Sequence, residues 1–195
     1  MYQLQTHAHA EIEIKKSRFL GQLYPVTSRN EAQALLTRIR AEHPNAVHVC
    51  WVLLCEGDSG LDDDGEPSGT AAKPIYNVMV HKDIFNVLAV VVRYWGGTKL
   101  GAGGLTRAYG QAISEACKSA NLVPIITMCE IKLALAFSEE SALRRLCEQN
   151  AVLVVEVSYQ DKAIFSLSMP SKLGENFKHK LQDFFRGTVQ FLSQE

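Results

Sequence analysis

The residue types best suited to chemistry gather in RYWGGTKLGAGGLTRAYG, residues 93–110. Gly96, Gly97, Gly101, Gly103 and Gly104 occupy the passage from a strongly apolar run to the start of an amphipathic one. Glycines there permit positive φ and close backbone approach. The first N–H groups of a helix are unpaired and carry the positive end of its dipole, so an anion is stabilised at such a point. Arg93, Lys99 and Arg107 bracket the glycines, and Arg107 lies off the apolar stripe of the following helix, able to reach solvent or a phosphate. The same residues also suit a second reading: a tight strand-to-helix turn that needs glycine for geometry alone, its bases paired internally with an acidic loop. Nucleotide motifs do not fit. Gly96 and Gly101 have the outer spacing of a P-loop, but Ala102-Gly103 replaces Lys-Ser/Thr. Gly101-x-Gly103 is followed by Thr106 where a dinucleotide fingerprint wants glycine.

The acidic partner precedes this segment. Residues 56–66 hold Glu56, Asp58, Asp62, Asp63, Asp64 and Glu66 and no base, whereas 67–118 hold Lys73, Lys82, Arg93, Lys99, Arg107 and Lys118 against Asp83 and Glu115. Asp62, Asp63, Asp64 and Glu66 could hold Mg²⁺ through one or two carboxylates and bridge it to a phosphate on the glycine turn. The commoner outcome for such a run is a solvated loop pairing with local Lys and Arg; EF-hand spacing is absent. His48 and Cys50 are two apart on an expected strand and share a face, with Cys55 on the other. A nucleophile pair or half a metal site competes there with a core cysteine beside a hydrogen-bonded histidine. His7 and His9 read as a solvated terminus.

Composition bounds these options. The 195 residues carry 20 Lys+Arg against 21 Asp+Glu and are 47% hydrophobic, which excludes gross disorder and fibrous repeats. A net charge of −1 excludes a polycationic nucleic-acid coat but leaves local patches open. No run approaches the ~18 apolar residues of a membrane span, and the N-terminus lacks a signal-like basic-then-apolar pattern. A cytoplasmic protein with no membrane partner is expected. Five cysteines without C-x-x-C spacing predict reduced thiols.

The elements that must position these groups follow from periodicity. Residues 10–25 predict a strand or hairpin closed by Pro25. Ser28 and Glu31 have capping-box spacing, and Ala32, Leu35, Leu36 and Ile39 trace a helix ended by His43-Pro44. Val47–Leu54 predicts a strand, and GDSGLDDDGEPSG a long loop with no packed element. Residues 70–82 predict a short helix with Pro74 in its first turn, and NVLAVVVRYW a central strand covered on both faces. Leu105, Ala108, Tyr109, Ala112, Ile113, Ala116, Cys117 and Ala120 make one stripe of a helix ended near Asn121 and Pro124. Beyond it the pattern predicts strand 127–137, helix 138–149 capped by Ser138, strands 151–159 and 162–169, helix 171–186 and strand 188–193. This is a βαββαβ, ferredoxin-like order. The fold class expected is α+β with two domains, 1–123 and 124–195. The second lacks the exposed aromatics of an RNA-stacking sheet and reads as an interaction or scaffold domain.

The segments DDDGEPSGTAAKPIY, VLAVVVRYWGG and TKLGAGGLTRAYG, with KKSRF at 15–19 and AEHPNAVH at 41–48, closely resemble the IMPACT family in its bacterial, YigZ-type branch. Ala72 stands where relatives usually have glycine, and Trp95 where Tyr or Phe is commoner. The resemblance implies an N-terminal α/β two-layer domain like the second domain of the small-subunit ribosomal protein five. It implies a C-terminal domain similar to the ferredoxin-like last domain of elongation factor G. Eukaryotic relatives compete for a partner of a stress-activated initiation kinase, and bacterial ones are proposed to bind nucleic acid or ribosomes; no catalytic activity comes with the resemblance. The expected function is a translation-linked regulatory or binding protein. It would contact RNA, ribosomal particles or a translation partner through Arg93, Gly96, Gly97, Lys99, Gly103, Gly104 and Arg107. Two alternatives stay open: a Mg²⁺-dependent phosphoryl-group enzyme using Asp62, Asp63, Asp64 and Glu66, and a protein-only adaptor. No catalytic residue and no cofactor other than that Mg²⁺ is expected.

Overall fold

The continuous apolar run 87–92 can be satisfied only by cover on both sides, and the architecture of the first unit follows from that demand. A computed structural model describes residues 1–192 and divides into two units, Met1–Ile125 and one beginning at Ile126. The first contains β1 (Tyr2–Leu4), β2 (Ala8–Ile14), β3 (Ser17–Pro25), α1 (Arg29–Glu42), β4 (His48–Cys55) and β5 (Asp58–Asp62), followed by α2 (Ala72–His81), β6 (Val87–Tyr94), α3 (Ala102–Lys118) and β7 (Leu122–Pro124). Five strands form an antiparallel sheet in the order β2-β3-β6-β4-β5. Every residue of β6 from Val87 to Arg93 is buried.

Side chains on a strand alternate between faces. Val87, Ala89 and Val91 join Phe19, Leu23, Cys50 and Val52 in a core with α2 and α3. Leu88, Val90 and Val92 join Val49, Leu53 and the α1 residues Ala32, Leu36 and Ile39. The expected two-layer arrangement holds for the sheet with α2 and α3, and α1 adds cover on the second face. Without it each of those β6 side chains would face water, at a cost of roughly 2 kcal/mol apiece. Ser28 caps α1, its hydroxyl accepting from Glu31 N–H at 3.3 Å, as the spacing predicts.

Two local expectations are corrected. Asp58–Asp62 is a strand, not an unpacked loop. Gly57, at φ +72°, turns the chain back on β4, and Arg29 donates to Asp58 at 2.6 and 2.9 Å. An edge strand needs a ladder on one side only and tolerates polar residues. The expected boundary at 123/124 falls inside β7, which pairs antiparallel with β1 through Leu4 and Leu122. Both leucines pack against the first core, a long-range contact that a three-residue strand cannot announce.

The second unit runs β8 (Met128–Leu135), α4 (Glu140–Gln149), β9 (Leu153–Tyr159), β10 (Ala163–Pro170), α5 (Ser171–Phe184) and β11 (Gln190–Leu192). Its antiparallel order β11-β8-β10-β9 is the ferredoxin-like arrangement. Leu133, Phe165 and Leu167 pack against Leu143, Phe177 and Leu181 of the helices. Ser138 does not cap α4; it lies in a single 3-10 turn, Phe137–Glu139, where the Glu139 carboxylate accepts from Ala136 N–H instead. Position 193 of the expected last strand lies outside the described residues. Among the described residues no helix is long and apolar enough to cross a membrane.

The position of α3 depends on Gly21 of β3, where an added Cβ would meet the Ala112 carbonyl. Gly21→Ala is expected to lower the unfolding free energy in urea titration by about 1–3 kcal/mol. Gly110→Ala, whose Cβ would find only Pro74 and Val78 side-chain carbons at 3.8 and 4.0 Å, is expected to raise it by roughly 0.5–1 kcal/mol. A neutral Gly21→Ala would mean that α3 does not sit on β3 as described.

Candidate functional site

Arg93 lies two residues beyond Val91 on β6, on the same face, and therefore points into the α2–α3 core, not to solvent. This corrects its expected role as an exposed phosphate contact. Its side chain is 5% exposed and that of Glu66 is 3% exposed, and Arg93 Nη1 donates to Glu66 Oε1. Phe19 and Trp95 flank the guanidinium, their ring centres 5.4 and 5.3 Å away. Tyr109 of α3 donates its hydroxyl to the same Glu66 oxygen at 2.7 Å, and His48 Nε2 is 3.8 Å from it. Desolvation forces this pairing, because a single charge in such a place would cost several kcal/mol. Among the described residues, Arg93 Nε is the side-chain polar atom left buried without a partner.

His48 and Cys50 share the face expected of them, beside this cluster. His48 Nδ1 donates to the Asp64 carbonyl at 2.7 Å. Cys50 Sγ lies 3.1 Å from the Asp63 carbonyl and 3.4 Å from the Tyr109 hydroxyl. Burial pushes the Cys50 thiol up to about 12 and the Tyr109 phenol far above its ordinary value. Cys50 is accordingly a neutral core thiol beside a hydrogen-bonded histidine.

The acidic segment is occupied by its own protein donors. Asp62 accepts from Asp64 N–H at 2.8 Å. Asp63 accepts from the N–H groups of Gly69, Ala71 and Ala72 at 2.8, 3.1 and 2.8 Å, which closes the start of α2. Asp64 accepts from Val49 N–H at 2.6 Å and pairs with Arg40 of α1 at 2.8 Å. Glu66 holds Arg93. Among the described residues no three His, Cys, Asp or Glu side chains converge as a metal site. A magnesium ion would have to take these carboxylates from their present donors.

The other expected residues form the rim. Gly97, Lys99, Gly103 and Arg107 are exposed, and Gly96 and Gly104 are half-buried. Gly101, at φ +72°, starts α3 with no side-chain cap, so the first N–H groups of the helix remain open. Arg107 folds over this end, its Nη1 3.8 Å from where a Cβ on Gly103 would stand.

The β2–β3 hairpin brings further bases to the same edge. Gly96 N–H donates to Ser17 Oγ at 3.1 Å across 79 residues of sequence, and a Cβ on Gly96 would collide with the Lys16 backbone. Lys15 and Lys16 form the turn at φ +49° and +64°, a left-handed pair that disfavours any residue with a Cβ by about 1–2 kcal/mol each. No spacing links these lysines to the glycine turn; only strand register does. Lys15, Lys16, Lys99 and Arg107 have no carboxylate partner among the described residues. Trp95, 48% exposed, lies among them.

A helix-covered antiparallel sheet with a basic, glycine-rich turn at one end, followed by a ferredoxin-like unit, defines a two-domain α+β protein. Residues 15–117 match the Impact N-terminal domain, and residues 133–188 match a domain of unknown function, DUF1949. The chain belongs to the IMPACT family. It is 36% identical to IMPACT family member YigZ of Escherichia coli K12 over 188 residues, covering 94% of this chain and 92% of that protein. It is also 36% identical to an IMPACT family member of Haemophilus influenzae, over 92% of this chain and 89% of that one. A crystal structure described as that of a hypothetical protein is 32% identical and aligns with TM-score 0.66, covering 100% of this chain and 97% of its own.

Two outcomes check the buried cluster. Glu66→Gln leaves Arg93 uncompensated and is expected to cost about 3–5 kcal/mol, while Glu66→Gln with Arg93→Met should cost at least about 1 kcal/mol less than the sum of the singles. Additive costs in urea titration would deny the coupling. For Asp63, burial raises the pKa, but the N–H groups of Gly69, Ala72 and Ala71 outweigh it and hold the carboxyl below its ordinary value. A depressed folded pKa gives stability that is complete above the unfolded value of about 3.9 and is lost as pH falls through the folded one. Asp63→Asn should therefore cost about 1 kcal/mol at neutral pH, the difference from wild type narrowing as pH falls below the unfolded value of about 3.9.

Proposed function

We propose that this protein is a translation-linked binding module whose basic edge contacts the RNA phosphate backbone, free or in ribosomal particles. Membership of the IMPACT family supports the link to translation. The observation that carries the contact is the packing of Gly96 against the Lys15-Lys16 turn, which joins these two exposed lysines to the glycine turn that carries exposed Trp95, Lys99 and Arg107 at the open N-terminus of α3. Unpaired bases beside an aromatic face suit single-stranded RNA, whose phosphates they neutralise and whose bases an indole stacks. Arg93 serves this surface from beneath, supporting Trp95, and does not touch the internal phosphates of a running strand.

The strained Lys15-Lys16 turn offers a test in which stability and binding move in opposite directions. Lys15→Asn with Lys16→Gly supplies the residue pair that such a turn prefers and removes two charges. The variant should melt higher than wild type yet bind RNA more weakly. With four phosphates neutralised, log K should fall against log salt with a slope of about −3 for single strands, flattening by about 1.4 in the variant. Filter binding or co-sedimentation with ribosomal particles across a salt series measures it. Salt-indifferent affinity, or an unchanged slope, overturns the reading.

A further inference from the structure

Behind the rim lies a cleft of about 280 Å³ lined by Glu66, Arg93, Trp95, Lys99, Gly101 and Leu105, together with neighbouring residues. Its charged and polar boundary consists mostly of donors. Lys99 stands at one side, and the uncapped start of the 17-residue helix α3 at another. Arg93 reaches the cleft with a side chain only 5% exposed and with Nε buried and unpartnered. Glu66 is the one acid in the lining, and Arg93 and Tyr109 already compensate it. A buried guanidinium N–H without an acceptor is unfavourable, so the arrangement calls for an acceptor from outside. The remaining wall is apolar and includes a flat one: Trp95, with Leu100 and Leu105 beside it.

An internal phosphodiester in a running strand cannot reach a side chain this deep, whereas a terminal phosphate monoester has three free oxygens and can enter end-on. The size suits a small ligand. We propose that the cleft binds one nucleoside monophosphate unit. Its phosphate meets the Arg93 guanidinium, Lys99 and the α3 N-terminus, and its base lies against Trp95. The unit is either a free nucleoside monophosphate or the 5′-phosphorylated end of an RNA strand; the second source rests on the RNA reading above.

The test has two arms. In the first, ¹⁵N-labelled protein is titrated with AMP, inorganic phosphate or adenosine, following the Gly101–Gly104 amides and the Arg93 Nε–H signal. AMP should give saturable shifts at concentrations about tenfold below inorganic phosphate, with none from adenosine. In the second, a short oligoadenylate is compared with and without a 5′-phosphate, on wild type and on the surface variants Lys99→Ala and Trp95→Ala. A preference of about fivefold or more for the phosphorylated end, lost in both variants, identifies the RNA end as the source. AMP shifts with equal affinity for the two oligonucleotides identify the free nucleotide. AMP shifts without any RNA binding also support the cleft and instead overturn the RNA reading. Absence of saturable AMP shifts at these groups overturns the proposal, whatever the oligonucleotides do. Salt-sensitive RNA binding would then leave the rim reading standing by itself.

Discussion

The charge pair between Arg93 and Glu66 is the constraint on which the first unit turns. A guanidinium at the end of a central strand, on the face that packs against two helices, can be held only if a carboxylate comes to it. Glu66 reaches that position because the chain from Asp62 to Ala72 is fastened along its length: Asp64 to β4 and α1, Asp63 to the start of α2, and Tyr109 of α3 to Glu66 itself. The acidic segment thus ties three helices to the sheet through three carboxylates, Asp63, Asp64 and Glu66. Such a pair adds little net stability over an apolar replacement, but breaking one side of it is costly, so it enforces one arrangement of the loop.

That arrangement divides the bases of the unit into two kinds. Arg93 is consumed in the core, and Arg40, Arg18 and Arg29 pair with Asp64, Glu11 and Asp58 at the surface. Lys15, Lys16, Lys99 and Arg107 are left facing water. The two readings of the glycine segment are therefore not exclusive. Gly96 is required by the close approach of the Lys16 backbone, a structural reason, and that same approach sets the lysine turn beside the glycine turn. Holding Lys15 and Lys16 in left-handed geometry is unfavourable, and strain of this kind concentrates where a surface is used.

How much was legible beforehand differs by element. The stripe Leu105 to Cys117, the β6 run and the Ser28 cap are local patterns, and each appears where periodicity and capping chemistry place it. The βαββαβ order of the second unit is likewise a sequence of local signals, and its sheet order follows from them. β5 and the β1–β7 ribbon were not legible, because short polar or three-residue strands exist only through a partner distant in the chain. The glycine turn could be picked out as a candidate anion site from residue types alone. The cleft behind it could not, since it is shaped by Glu66, Arg93, Trp95 and Leu105 from separate elements.

The sequence by itself determined the number and kind of elements, the family, and the presence of a basic glycine-rich segment opposite an acidic one. These are set by propensity, periodicity and composition over a few residues at a time. Tertiary structure alone decided which charges meet. Arg93 could be exposed or buried on any local argument; its fate was settled when both faces of β6 were covered and desolvation left Glu66 as its partner. Register then decided that the lysines of a distant hairpin would complete the edge, because hydrogen-bonded strands, not neighbours in sequence, set what stands side by side.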